Sequence, residues 1–422
     1  MKKILFLFLI WTSLGLAQIN FDDYFFDKTL RLDFFHTGDH TTEIISLDEL
    51  IEEPFWGGSK NNLIDTFNYG NYKFEVRDSA TNSIIYSRGF STLYQEWQTT
   101  AESKSVVKSM SGTITFPFPK KTANVEIFRR ERNGEFASKF NYSINPNNYF
   151  IRKGLDNPKE VYEVHISGKP AICLDILFLP EGYTREEMEL FKEDCQRFAG
   201  YLFDYEPFSE YRDKINIRGI LSPSMDAGSD IPAEDRWNNT LLNSRYYTFD
   251  SERYLMTQDY KKVRDVAANA PYDQIYILVN SDKYGGGAIY NYYSLCITNN
   301  PMGKEVFIHE FGHGFAGLAD EYVDPYTYEE FYPLDVEPWE PNITTLVDFE
   351  SKWKNLVDED TPIPTPSTEE YKDKVGVFEG GGYVAKGVYR PTQNSIMRVL
   401  SSPGFNQASK NAIEQLLKFY TD

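Results

Sequence analysis

One stretch constrains the fold of this chain more than any other: residues 305–322, EVFIHEFGHGFAGLADEY. An apolar run leads into H-E-x-x-H. On a helix, residues four apart stack on one face, one turn above each other. His309 and His313 therefore present their imidazoles side by side, at a separation that one Zn²⁺ can bridge. Glu310 reaches the remaining coordination position, where a water would sit, as a carboxylate general base does. The chain has only five histidines in 422 residues. Two of them at this spacing around a glutamate stand out against the bland alternative, an amphipathic helix with incidental histidines.

A catalytic zinc takes three protein ligands and keeps one position open. The third must lie beyond His313, and a helix that ran on would carry it away at about 1.5 Å per residue. Gly314 and Gly317 are suitable breakers, and Gly317 can adopt positive φ and end the helix. The chain then turns back. Asp320 is the preferred third ligand, Glu321 the second choice and Asp324 the third.

HEFGHGFAGLADEY, followed far downstream by Asn394-Ser395-Ile396-Met397-Arg398, resembles the IgA-peptidase family of bacterial zinc metalloendopeptidases, a metzincin-like group. The resemblance covers roughly residues 160–422. The metzincin pattern is HExxHxxGxxH or D followed by a Met-turn. Counted from His313, its glycine would fall at Ala316 and its third ligand at Ala319; here Gly317 and Asp320 each come one residue later, so the loop differs. The resemblance implies an α/β metzincin-like catalytic domain, Zn²⁺ as cofactor and a protein or peptide substrate, glycoproteins included. It also implies that Met397 is a Met-turn, an apolar floor beneath the metal and not a ligand.

Residues 1–17 read as a secretory signal: Lys2 and Lys3, then an apolar run, then small residues at 15–17. The apolar run is too short to span a bilayer, and no later segment reads as a membrane span. The expectation is an exported protein, periplasmic, cell-surface or secreted, beginning near Gln18. A formal charge of −20 repels nucleic acid and anionic membranes. Three cysteines, Cys173, Cys195 and Cys296, allow at most one intramolecular disulfide. Cys173 and Cys195 read as small buried residues.

Residues 18–155 read as an accessory domain of antiparallel β-sandwich type. Stretches 29–35, 72–78, 84–87, 112–118 and 124–130 alternate apolar and polar residues between polar turns. His36 and His40 fall here, in loop or strand-end roles. Trp56, Trp97 and the many tyrosines suit a binding platform or core packing equally. Residues 153–158 (KGLDNP) mark the boundary, and 156–422 form the catalytic domain.

From residue 172 the rhythm changes. Residues 172–179 (ICLDILFL) form a continuous apolar run, suited to a buried strand. Thr184 to Glu187 is a capping-box pattern, and a helix follows to about Tyr205 with Met188, Phe191, Cys195, Phe198 and Leu202 on one face. Strands follow at 215–221 and 273–280, giving an α/β beginning. The polar loop 223–254 carries Asp226, Asp230, Glu234 and Asp235 at no EF-hand spacing. Gly285 to Gly287 open a strand with Ile289, Asn291, Tyr293 and Leu295 on one face. By the resemblance this is an edge strand above the zinc, to which a peptide could add. Residues 379–383 (EGGGY) supply another flexible segment beside the cleft, and a final helix spans residues 407–420.

These residues suit peptide hydrolysis with Glu310 as the catalytic base and His309, His313 and Asp320 as metal ligands. Tyr322 and Tyr389 are candidate oxyanion donors, and His165 reads as packing. The competing reading is a non-catalytic surface protein that binds protein or glycan and keeps a structural zinc. Glu310 weighs against it, because a structural zinc is closed by four ligands and needs no base.

Overall fold

The computed structural model describes residues 19–155, 157–324 and 331–422. The stretch read as a signal, residues 1–17, lies outside them. One helical turn, α1 (Phe21–Tyr24), leads into β1 (Phe25–Gly38), β2 (Glu43–Glu53), β3 (Tyr72–Asp78) and β4 (Ile84–Phe90). A short helix, α2 (Leu93–Gln98), follows, and then β5 (Lys108–Pro119), β6 (Ala123–Arg130), β7 (Phe136–Ile144) and β8 (Arg152–Lys153). They form two four-stranded sheets, ordered β5-β1-β2-β8 and β4-β3-β6-β7. The pairings are antiparallel except at the edge, where β8 runs parallel to β2.

Period-two patterning sets which residues meet. Leu30, Leu32 and Phe34 of β1 share one core with Phe74 and Val76 of β3, Phe116 of β5, and Val125 and Ile127 of β6. Trp56 belongs to that core, and Trp97 is buried in a satellite cluster, so both are packing residues. His36 is buried among the rings of Phe34, Tyr72 and Tyr94.

The opposite face of β1 is buried as well. Arg31 pairs with Asp33 at 2.6 Å and reaches Asp265 at 2.8 Å on α4 (Tyr260–Ala267). That helix packs against both β5 and β10 (Leu174–Glu181), which links the first sheets to the next one.

A six-stranded sheet carries the rest. Its order is β13 (Gly286–Ile289), β14 (Tyr293–Ile297), β12 (Gln274–Val279), β10, β11 (Ile215–Leu221) and β9 (Glu160–His165). The four central strands are parallel, and β13 and β9 are antiparallel edges. β10, β12 and β14 are buried along their whole length, which is why they read as apolar runs rather than alternating ones. Helix α3 (Met188–Phe203) is entered through the Thr184–Glu187 capping box and buries Phe191, Cys195, Phe198 and Leu202. It packs on α5 (Gly303–Ala316), which also meets β13, β14 and α6 (Gln407–Thr421). The three cysteines are free and buried.

Residues 289–297 differ from the single strand read in the sequence. The chain reverses between β13 and β14, because Asn291 takes a left-handed conformation (φ 50°). Its N–H donates to Gly314 O at 2.8 Å and its side chain to Gly89 O at 2.8 Å. The turn is thereby tied both to α5 and to the N-terminal sheets. Beyond α5, short turns and one hairpin, β15 (Phe378–Gly381) with β16 (Val384–Arg390), close the chain onto α6.

Candidate active site

Helix α5 has one face of Phe307, Phe311 and Phe315 in the core, and it carries His309, Glu310 and His313 toward a cleft. Gly317 ends it at φ 62°, with its N–H donating to His313 O and that of Leu318 to Gly312 O. Only glycine fits this turn: a Cβ would lie 2.6 Å from Cζ3 of Trp339, in a backbone region that side chains disfavour.

The turn brings Asp320 back over the helix. His309 Nε2 lies 3.0 Å from His313 Nε2, and Asp320 Oδ1 lies 3.1 Å and 3.4 Å from these two atoms. A tetrahedral zinc with bonds of about 2.0–2.1 Å holds its ligand atoms about 3.3 Å apart. The histidine tautomers fit the same purpose. Nδ1 of His309 faces Ile396 O at 3.0 Å, and Nδ1 of His313 faces Leu318 O. A carbonyl only accepts, so both Nδ1 atoms donate and both Nε2 lone pairs turn inward. Asp320 Oδ1 is buried without a hydrogen-bond partner. Three acceptors facing one another at this range are able to hold a metal ion. Burial opposes charge on His313, but Asp320, Glu310 and the Leu318 carbonyl outweigh it and push the ring up to about 9. Burial raises the Asp320 carboxyl, yet the two imidazoles hold it well below its usual range.

Of the alternative ligands, Glu321 points elsewhere. Its Oε1 accepts from Asn342 (2.9 Å) and Asn406 (2.8 Å), and its Oε2 from Ser395 (2.7 Å). Its N–H donates to Met397 O at 2.8 Å. It is a buried strut between the ligand loop, residues 395–397 and the start of α6. Asp324 lines the cleft, but the cluster of convergent ligand atoms consists of His309, His313 and Asp320. Met397 is fully buried; a Cβ on Gly312 would come within 2.9 Å of its Sδ, so it packs directly on α5.

Glu310 is the free acid of the site. Its Oε1 stands beside Gly286 of β13, where a Cβ would come within 3.1 Å. Burial lifts its carboxyl above the ordinary range, against the pull of His309 and His313. The cleft has two lobes that meet at His313 and Asp320. One, of about 740 Å³, runs past Tyr290, Trp339 and Arg130; the other, of about 680 Å³, contains Glu310, Arg253 and Tyr322. Tyr389 lines neither, and its backbone pairs with Thr344. His165 packs on Phe203. In the loop 223–254, Asp226 and Asp230 accept backbone N–H groups of their own loop.

Two site residues carry no motif in the sequence. Tyr383, in the β15–β16 turn, donates its hydroxyl to Asp320 Oδ2, and Gly382 N–H donates to Asp320 O at 2.7 Å. Glu96 of α2 borders both lobes, so the N-terminal sheets bring an acid to the cleft. Its Oε2 accepts from Tyr254, and burial pushes its carboxyl up to about 7.

The chain is sheet-rich and matches known families in two regions. Residues 162–373 and 367–417 match the family described as IgA Peptidase M64, and residues 20–141 match Peptidase M64 N-terminus; the chain belongs to this family and is a protease acting on protein substrates. No curated protein matches the chain. Among the described residues, no helix is long and apolar enough to cross a membrane.

Proposed function

We propose that the protein is an exported, zinc-dependent endopeptidase. His309, His313 and Asp320 hold the ion, and Glu310 is the general base. The carrying observation is the convergence of three acceptor atoms at 3.0–3.4 Å with both Nδ1 atoms committed to carbonyls. Zn²⁺ held there supplies Lewis acidity, bringing the pKa of water down to about 7 and polarising the scissile carbonyl. Glu310 takes the proton of the attacking water and delivers it to the departing amine nitrogen. Tyr383 fixes the orientation of Asp320, and Met397 forms the floor.

An extended peptide lies along the edge of β13 at Ala288, which borders both lobes. In this reading the N-terminal unit is a β-sandwich ending near residue 155, and the remainder is metzincin-like. Residues 1–17 direct export.

The test is digestion of a peptide library by wild type and Glu310→Gln, both loaded with zinc and read by mass spectrometry. Glu310→Gln should retain the metal and lose cleavage by at least about 100-fold. Equal cleavage by both proteins would reject Glu310 as base. No cleavage by either would favour a surface-binding protein with a structural zinc.

A further inference from the structure

We propose that the Gly286 end of the cleft is a carboxylate-binding subsite, in which Arg253 takes an acidic side chain or the C-terminal carboxylate of the bound peptide. This rests on the reading of the cleft as a peptidase site.

The edge of β13 is not open along its length. Gly286 N–H donates to Arg253 O at 3.2 Å, and Leu255 N–H donates to Gly286 O at 3.3 Å. Tyr254 thus pairs with Gly286 in parallel, as a strap laid over the strand edge. Outward-facing backbone groups recur every second residue, so the next position for a substrate is Ala288. A peptide paired there and running toward Gly286 meets the strap and can pair no further.

At that stop stands the Arg253 guanidinium. Its Nη2 donates to Tyr322 Oη at 3.1 Å, and its Cζ lies 5.9 Å from the centre of that ring. The side chain is exposed to solvent in the cleft, and the phenols of Tyr322 and Tyr284 favour its charge. Phenols hold a guanidinium in place without neutralising it. Among the described residues no carboxylate lies within ion-pair distance of Arg253, in a chain with 63 acidic residues and 43 basic ones, and Glu310 feels its charge only at longer range. Arg398 lines the same lobe and spends its Nη1 on Gln393 O and Asn394 Oδ1, neutral acceptors both.

The strap is anchored from outside the peptidase sheet, since Tyr254 donates to Glu96 of α2. The cation is therefore held ahead of binding, and the planar fork of a guanidinium matches a carboxylate in two hydrogen bonds. The shared chemistry is the carboxylate. An internal acid or a chain terminus can supply it.

The experiment uses the full chain, zinc-loaded, with quenched fluorescent peptides built on a sequence the enzyme cleaves. Asp or Asn is placed in turn at each of the positions flanking the scissile bond, and each peptide is made with a free or amidated C-terminus. At one position wild type should prefer Asp over Asn by about tenfold or more in kcat/KM. If the terminus is the source, the preference follows the free acid over the amide instead. Arg253→Gln should bring the ratio close to one, and Arg253→Lys should keep part of it. The same peptides are also titrated against zinc-loaded Glu310→Gln by fluorescence anisotropy, a reading that needs no turnover. An unchanged acid preference in Arg253→Gln, or none in wild type, would overturn the subsite. Where the library digest shows no cleavage, the anisotropy titration is run on library peptides instead, and an Arg253-dependent acid preference there would count against the hydrolytic reading alone.

Discussion

Glu321 and Asp320 are neighbours in sequence and acids of similar reach, yet they should respond oppositely to loss of charge. Glu321→Gln keeps one oxygen to accept from Asn342 and Asn406, and its new amide can donate to Ser395, whose hydroxyl rotates to accept. Only the charge assistance of three hydrogen bonds is lost, and relief of the buried charge offsets part of it. The expected cost is about 1–2 kcal/mol of stability. Glu321→Ala leaves three buried donors unpaired, at about 1–3 kcal/mol each, and should destabilise by roughly 3–9 kcal/mol. Neither oxygen of Glu321 faces the histidines, so zinc affinity of Glu321→Gln should stay within a few-fold of wild type. Asp320→Asn replaces the charged acceptor between the two Nε2 atoms and should weaken zinc by more than about 100-fold, beyond the loss of an outer partner. Denaturant unfolding and competition with a chromogenic chelator measure the two quantities. Zinc loss in Glu321→Gln comparable to that in Asp320→Asn would refute the assignment.

Tyr383→Phe removes the donor to Asp320 Oδ2 and should lower zinc affinity by about 10–100-fold, read by the same competition. Gly317→Ala places a Cβ at φ 62° against Trp339; it should cost at least about 1–2 kcal/mol in unfolding and lower zinc occupancy, because Asp320 follows three residues later. His36 gives a pH signature: burial lowers its pKa from 6.5 to about 4. Its neutral form is the one the fold accepts, so its contribution is complete above about 6.5 and is lost as pH falls to about 4. That amounts to about 3 kcal/mol. Urea unfolding across this range should show a loss that His36→Phe lacks.

Much of the framework was legible because it obeys local rules. The apolar runs of β10 and β12 follow from burial on both faces, and α3 announces itself through its capping box and its spaced apolar residues. His309, Glu310 and His313 are legible for the same reason: a helix dictates their spacing. Asp320 was reachable as a candidate only because Gly317 marks where the helix must stop, and nothing in the sequence showed the three donors that engage Glu321. Glu96 and Arg253 were not legible, and Tyr383 was so only as part of a segment beside the cleft. Each reaches the cleft through a long-range pairing, by the Val323–Tyr383 bridge, the seating of α2, and the strap on Gly286. No local pattern encodes such contacts. The β13–β14 reversal was missed because Asn291 reads as one more alternating strand residue until its positive φ is known.

The most direct test is a crystal of the zinc-loaded protein measured on both sides of the zinc absorption edge. The account predicts one anomalous peak about 2.0–2.2 Å from His309 Nε2, His313 Nε2 and Asp320 Oδ1, with the Glu310 carboxylate beside it and not bound to it. A peak held by Glu321, or imidazoles turned away from each other with no shared ion, would contradict it.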